Sequence, residues 1–337
     1  MYLKELTSLR GVPGYEAPVR EYILEKIKDK CDEIYRDNIG NLIAVNRCGK
    51  NDAKKVMVCA HMDEVALFVT KITEEGFLKF DTLGGIDTSV LVSKKVLVGD
   101  KGIHGIIGAK AIHLQKRSER GKGMDIEELY IDIGAKNKKE AEKHVQLGDY
   151  ATFDSEYVEF GNGFIKAKAL DDRLGCAAMI ELADNRYDFD LYLVFTAQEE
   201  TGLRGATVAA KRINPDFAIV LETTASNDTF GYEEREYSTV CGGGVVLLFA
   251  DMRTYYSKEI LKDIESVAKK YNIPYQFKKT VSGGNDAGAI HTSCGGIRTI
   301  TMSVATKYIH SPSSVISRKD FDAQKELIQK YLQEVKL

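Results

Sequence analysis

Apolar positions along the chain follow two periods, and the changes between them divide it. In "VREYILEKIKDKC", after the Gly- and Pro-punctuated "RGVPGYEAP", Val19, Tyr22, Ile23 and Ile27 fall on one helical stripe and predict an amphipathic helix. The β-branched runs "NLIAVNR" and "KKVMVCAHMDEVALFV", separated by the turn-forming "CGKNDA", predict neighbouring strands. From about Lys71 to Ile165 the pieces shorten. "GFLKFDTLGG", "VLVSKKVLVG", "GIHGIIG", "AIHLQ" and "DYATFDSEYVEFGNGFIKAK" read as strands cut by Gly and charge, and only "NKKEAEKHVQ" reads as a helix. Beyond Ala169 the periods alternate: helix "RLGCAAMIELADN", strand "LYLVFTA", helix "LRGATVAAKRI", strand "FAIVLE", helix "KEILKDIESVAKKYN", strand "IRTITMSVA" and helix "KDFDAQKELIQKYLQEV".

Strands alternating with helices predict an α/β protein, an α/β/α sandwich with a mixed, largely parallel sheet, built from residues 1–70 and 166–337. The closely spaced short strands of 71–165 predict a small β-barrel inserted between its halves. Ligands of open parallel sheets bind beyond the carboxyl ends of the strands, so the residues just after each apolar run are the first candidates for chemistry. "KVMVCA" leads to His61 and Asp63, "LYLVFTAQ" to Glu199 and Glu200, "FAIVL" to Glu222, and "TMSVATKYI" to His310, while Asp171 and Asp172 of "KALDDRLG" stand before a helix.

His61 and Asp63, two apart on an extended chain, share a face, the arrangement of a ligand beside its orienting carboxylate. Two imidazoles among several carboxylates suit Zn²⁺, Co²⁺ or Mn²⁺ rather than Ca²⁺, which prefers oxygen alone. One metal would leave carboxylates uncompensated, whereas two divalent cations sharing a bridging carboxylate would neutralise them. A pair about 3.5–4 Å apart activates water and polarises a carbonyl, which points to peptide or amide hydrolysis. Adjacent Glu199 and Glu200 diverge unless the chain turns, so one is expected to bind metal while the other moves a proton.

Composition narrows the partners. Of 337 residues, 47 Lys plus Arg stand against 50 Asp plus Glu, so the formal charge of -3 demands no basic surface for nucleic acid or anionic membrane. No run of 18 apolar residues occurs and the N-terminus has no signal-like apolar core. Cys31, Cys48, Cys59, Cys176, Cys241 and Cys294 form no C-x-x-C pair, which fits a reducing, cytoplasmic setting.

"AHMDEV", "KALDDRLG", "QEETGLRGA", "GGNDAGAIH" and "YIHSP", in this order, resemble the tetrahedral (TET) aminopeptidases, two-metal peptidases of which some members carry an endoglucanase label. The likeness runs from "GVPGYEAP" to "YIHSP". It implies one metal, zinc or cobalt, on His61, Asp171 and Glu222, and a second on Asp171, Glu200 and His310, with Asp171 bridging. It also implies Glu199 as general base, Asp63 as the group orienting His61, and a site-side loop containing Gly283, Gly284 and Asp286. The inserted barrel would help build a homo-oligomer of dimers, up to a dodecamer, acting on short peptides. Three positions depart from the family's usual pattern: Glu222 replaces Asp, Asn285 replaces Thr, and "DEVAL" replaces "DEIGF".

Two other functions compete. A glycoside hydrolase needs two carboxyls about 5–9.5 Å apart and commonly aromatic platforms; Trp is absent here. A catalytically silent metal-binding assembly subunit would not need Glu199. The lack of a G-x-S-x-G elbow argues against a serine peptidase. His104, His113 and His144 read as surface or structural, His291 as a structural hydrogen-bonding residue, and Cys59 as a buried thiol rather than a ligand.

Overall fold

The computed structural model describes residues 2–111, 113 and 124–336. Four strands, Asp190–Thr196, Lys55–His61, Phe217–Ala225 and Arg298–Lys307, lie side by side in that order and run parallel, with Thr196 opposite His61 and Glu222 opposite Ser303. Residues of both alternating sets are buried along them, so neither face of this sheet centre is open to water. Helix Leu170–Leu182 packs on Lys55–His61 and Phe217–Ala225, and Arg204–Ile213 packs on Asp190–Thr196. Antiparallel strands extend both edges: Leu42–Asn46 and Glu33–Arg36 on one side, Ser314–Ser317, Phe164–Ala167 and Val158–Phe160 on the other. A second sheet closes on itself as a barrel of Ala66–Ile72, Leu78–Leu83, Tyr130–Asp132, Ile103–Gly108, Lys95–Val98 and Tyr150–Phe153, filled by residues such as Leu67, Leu78, Val96, Ile131 and Phe153. This is the α/β class with a β-barrel that the alternation of periods predicts.

Local departures have physical causes. Leu42–Asn46 and Lys55–His61, expected as neighbours, are separated by Asp190–Thr196, which pairs with both. The run "KKVMVCAHMDEVALFV" is two strands in different sheets, broken at the His61–Val65 segment. Val158–Phe160 and Phe164–Ala167 join the large sheet, because Ile165 and Ala167 bury into its core. Of "NKKEAEKHVQ" only Lys138–Ala141 is α-helical, since Ala141 and Val145 alone bury there and a stripe that short cannot hold a longer helix. The strand expected at "AIHLQ" lies, apart from Ala111 and His113, outside the described residues.

The segment after His61 is anchored by buried charge. Arg173, with no exposed surface, donates from Nε to Met62 O at 2.8 Å, from Nη1 to Leu6 O at 2.6 Å and from Nη2 to Glu64 Oε1 at 3.2 Å. Lys168 Nζ donates to both Glu64 oxygens, at 2.7 and 2.9 Å, and to Leu9 O at 2.7 Å. These bonds fasten helix Tyr2–Ser8 and the chain after it to the end of the central strand. Removing one partner strands the other charges in a dry interior. Glu64→Ala is therefore expected to lower the unfolding free energy by roughly 3–5 kcal/mol in a urea titration; a loss below about 1 kcal/mol would show that the network is dispensable.

Candidate active site

All seven residues expected at the site converge beyond the carboxyl ends of the four parallel strands. The Asp171 carboxylate stands between two imidazoles: Oδ1 lies 3.3 Å from His61 Nε2 and Oδ2 lies 3.2 Å from His310 Nε2. Glu222 Oε1 is 3.9 Å from His61 Nε2, and Glu200 Oε2 is 3.5 Å from His310 Nε2. Three groupings have ligand atoms within 4.8 Å of one another: His61, Asp171 and Glu222; Asp171, Glu200 and His310; and His61, Glu199 and Glu200. The first two coincide with the sets that the resemblance implies.

The turn carrying the glutamates is held at four successive backbone N–H groups. Asn41 Oδ1 accepts from Ala197 N at 2.9 Å and Glu16 Oε1 from Gln198 N at 3.2 Å. The two Asp63 oxygens accept from Glu199 N and Glu200 N, both at 3.0 Å. Gln198 takes a positive φ of 58°, so the chain leaves the strand direction just before the two glutamates, which nevertheless border different spaces. Glu199 lines a cavity of about 300 Å³ together with His61, Asp171, Glu222 and His310. Glu200 lines a separate small void with His310 and Ser311. Asp63 is thus chiefly a backbone anchor for the turn; His61 Nδ1 lies 3.1 Å from the Asp63 carbonyl and 3.6 Å from its carboxylate.

Several supporting roles escape sequence reasoning, even where the residue itself, such as Asp172 or Asp286, stands among its candidates. Asp172 accepts from His61 N at 3.3 Å and from Gly175 N at 3.1 Å, tying the helix start to the strand end. A Cβ on Gly175 would fall 2.6 Å from Asp172 Oδ2, so only glycine fits. Asp286, fully buried, accepts from the Thr196 hydroxyl at 2.6 Å. The barrel contributes Gly84 and Gly85: a Cβ on Gly84 would come within 3.2 Å of Glu200 Oε2, and one on Gly85 within 3.6 Å of His310 Nδ1. The paired glycines after "FDTL" are the one signal that could have marked this approach. Asn285 accepts from Ala287 N at 2.9 Å, bracing the chain at the start of the short helix Ala287–Ile290. His291 binds Ala287 O at 2.8 Å, His104, His113 and His144 are exposed, and none of the three groupings contains Cys59, whose burial holds the thiol well above its usual pKa.

The electrostatics call for cations. Burial, with the charges of neighbouring carboxylates, pushes Glu199 and Glu222 well above the usual carboxyl range and Glu200 up to about 7. Burial opposes protonation of His310, but Asp171 and Glu200 outweigh it and raise the imidazole to about 9. Burial would likewise raise Asp171, yet its hydrogen bonds with His310 and His61 hold it well below. Glu200 Oε1 is buried with no hydrogen-bond partner. A buried set of imidazoles and carboxylates with an orphaned carboxylate oxygen is the donor chemistry that a divalent transition metal satisfies.

Known proteins resemble the chain over most of its length. The family described as M42 glutamyl aminopeptidase matches residues 40–327. A putative aminopeptidase of Acetivibrio thermocellus is 40% identical over 328 residues, covering 97% of this chain and 96% of the relative. The TET aminopeptidase of a marine-sediment Thaumarchaeota archaeon is 32% identical with a TM-score of 0.95, over 100% of this chain and 96% of that one. The Pyrococcus horikoshii TET1 peptidase, described as able to assemble into a tetrahedron or a large octahedral shell, is 32% identical with a TM-score of 0.87 over 99% of each chain. Matches of this extent make the chain a member of the M42 glutamyl aminopeptidase family.

Proposed function

We propose that this aminopeptidase removes N-terminal residues from short peptides with two divalent metal ions, zinc or cobalt. The observation that carries the reading is Asp171, whose two oxygens face two different histidines. His61, Asp171 and Glu222 would hold one ion and Asp171, Glu200 and His310 the other. Glu222 is a methylene longer than the family's usual Asp and still places Oε1 within reach of the first set. When bound, such metals lower the pKa of water and polarise the scissile carbonyl.

The chain's own residues do the rest. Glu199 makes no hydrogen bond through its carboxylate among the described contacts and borders the cavity, so it is free to take a proton from the attacking water and pass it to the leaving amine. Asp63 fixes the peptide units of both glutamates, keeping proton carrier and metal ligand on separate paths. A glycoside hydrolase is disfavoured because the carboxylates crowd around imidazoles within 4.8 Å rather than flanking a sugar-sized gap. A silent assembly subunit would have no use for Glu199 in this position.

We also propose that the barrel-bearing insert, read as residues 71–165, is where copies associate into a homo-oligomer built from dimers. Its relative's tetrahedral and octahedral shells support this. The free cysteines support a cytoplasmic setting.

Glu199→Gln is expected to keep its metals while kcat on aminoacyl p-nitroanilides falls ~10²–10⁴-fold, whereas Glu200→Gln should lose metal by elemental analysis. Equal metal loss and equal residual rates in the two variants would overturn the division of roles. In sedimentation velocity the protein is expected to run well above its 37.5 kDa protomer mass; a fully active monomer at micromolar concentration would contradict the assembly.

A further inference from the structure

The two ligand sets are braced by different parts of the chain. His61 and Glu222 stand on buried parallel strands, and the Nδ1 of His61 lies 3.1 Å from the Asp63 carbonyl, two residues away. His310 differs. It lies beyond the end of strand Arg298–Lys307, at a positive φ of 55°, and its side chain is 36% exposed against 2% for His61. Glu200 sits in the turn past strand Asp190–Thr196, with Oε1 unpaired.

Both of these ligands meet the barrel just after its strand Leu78–Leu83. His310 Nε2 faces Asp171 and Glu200, so the nitrogen turned to the barrel is Nδ1. A Cβ on Gly85 would lie 3.6 Å from that nitrogen, and the ring hydrogen-bonds the Gly85 backbone. A backbone acceptor that keeps the proton on Nδ1 leaves the Nε2 lone pair for a cation. Gly84 abuts the other ligand. Its φ of 88° suits glycine, and a Cβ there would meet Val65 Cγ1 at 2.8 Å, Glu200 Oε2 at 3.2 Å and Glu200 Cβ at 3.4 Å. The residues that follow fasten the turn to the barrel. Ile86 packs against the barrel core, and Asp87 caps the 3₁₀ turn Thr88–Val90 by accepting from Ser89 N at 2.8 Å.

We propose that the barrel turn at Gly84 and Gly85 is a positioning element for the metal site of Asp171, Glu200 and His310. It sets the ring orientation of His310 and the place of the Glu200 carboxylate, and through them the affinity of that site. The site of His61, Asp171 and Glu222 keeps its own anchors and is indifferent to the turn. The proposal rests on the two-metal reading above and gives the barrel a part in the chemistry separate from any part in assembly. Neither glycine has a side chain to offer a ligand, so both act through the residues they touch.

The test measures zinc affinity in Gly84→Ala, with Gly134→Ala as control. Gly134 follows barrel strand Tyr130–Asp132 with a φ of 77° and nothing within 4 Å of an added Cβ, so its variant carries similar backbone strain without touching the site. In competition with a chromophoric chelator, wild type and Gly134→Ala are expected to bind two zinc ions per chain. Gly84→Ala is expected to keep one affinity and to weaken the other by about 10-fold or more. Anomalous maps of zinc-limited Gly84→Ala should then lose the peak beside Glu200 and His310 and keep the one beside His61 and Glu222. Unchanged affinities, equal weakening at both sites, or the same loss in Gly134→Ala would overturn the proposal. Where Gly84→Ala fails to fold, hydrogen exchange of wild type decides. Amides 84–87 are expected to slow several-fold on zinc loading while those of barrel strand Lys95–Val98 do not, and an unaltered rate at 84–87 refutes the coupling. A single zinc per wild-type chain would sink the two-metal reading instead, an outcome distinct from the others.

Discussion

The constraint on which the structure turns is the burial of acidic side chains at one end of a parallel sheet. Asp63, Glu64, Asp171, Asp172, Glu222 and Asp286 are all less than a tenth exposed. Carboxylates so close together repel one another, and in a dry interior each must be compensated or protonated. The fold meets the demand by different means at different positions. Asp63 and Asp172 are spent on backbone N–H groups, and Glu64 is matched by Lys168 and Arg173. Asp171, Glu200 and Glu222 are left facing two imidazoles, and no lysine or arginine ion-pairs with them among the described residues.

That division explains why so much of the surrounding chain is tied down by hydrogen bonds. Buried parallel strands fix His61 and Glu222 directly. The glutamate turn, which no strand supports, is instead held by acceptors from three segments: Asn41, Glu16 and Asp63. Gly205 belongs to the same clamp, since a Cβ there would sit 2.3 Å from both Ala197 O and Asn41 Oδ1. Ligands placed this way reach their geometry before any metal arrives, which reduces the ordering cost of binding.

The apolar runs and the polar residues at their carboxyl ends made the α/β architecture and the positions of His61, Glu199, Glu200, Glu222 and His310 legible, because burial on both faces leaves an uninterrupted hydrophobic signature that ends where the strand ends. Strand order was not legible: nothing in "NLIAVNR" or "KVMVCA" tells that Asp190–Thr196 comes between them, since periodicity records burial and not partner. The supporting roles of Asp172, Glu64 and Arg173 were hidden for a related reason. A charged residue in sequence reads as solvated, and only three-dimensional pairing reveals it as buried. Gly84 and Gly85 were similarly opaque, their role depending on how closely the barrel approaches His310.

The most direct test of the central claim is anomalous diffraction at the zinc absorption edge from crystals of the zinc-loaded protein. The account predicts two peaks, one beside His61 and Glu222 and one beside Glu200 and His310, with Asp171 in contact with both. A single peak at full occupancy in fully active protein, with one Asp171 oxygen left without a metal, would contradict it.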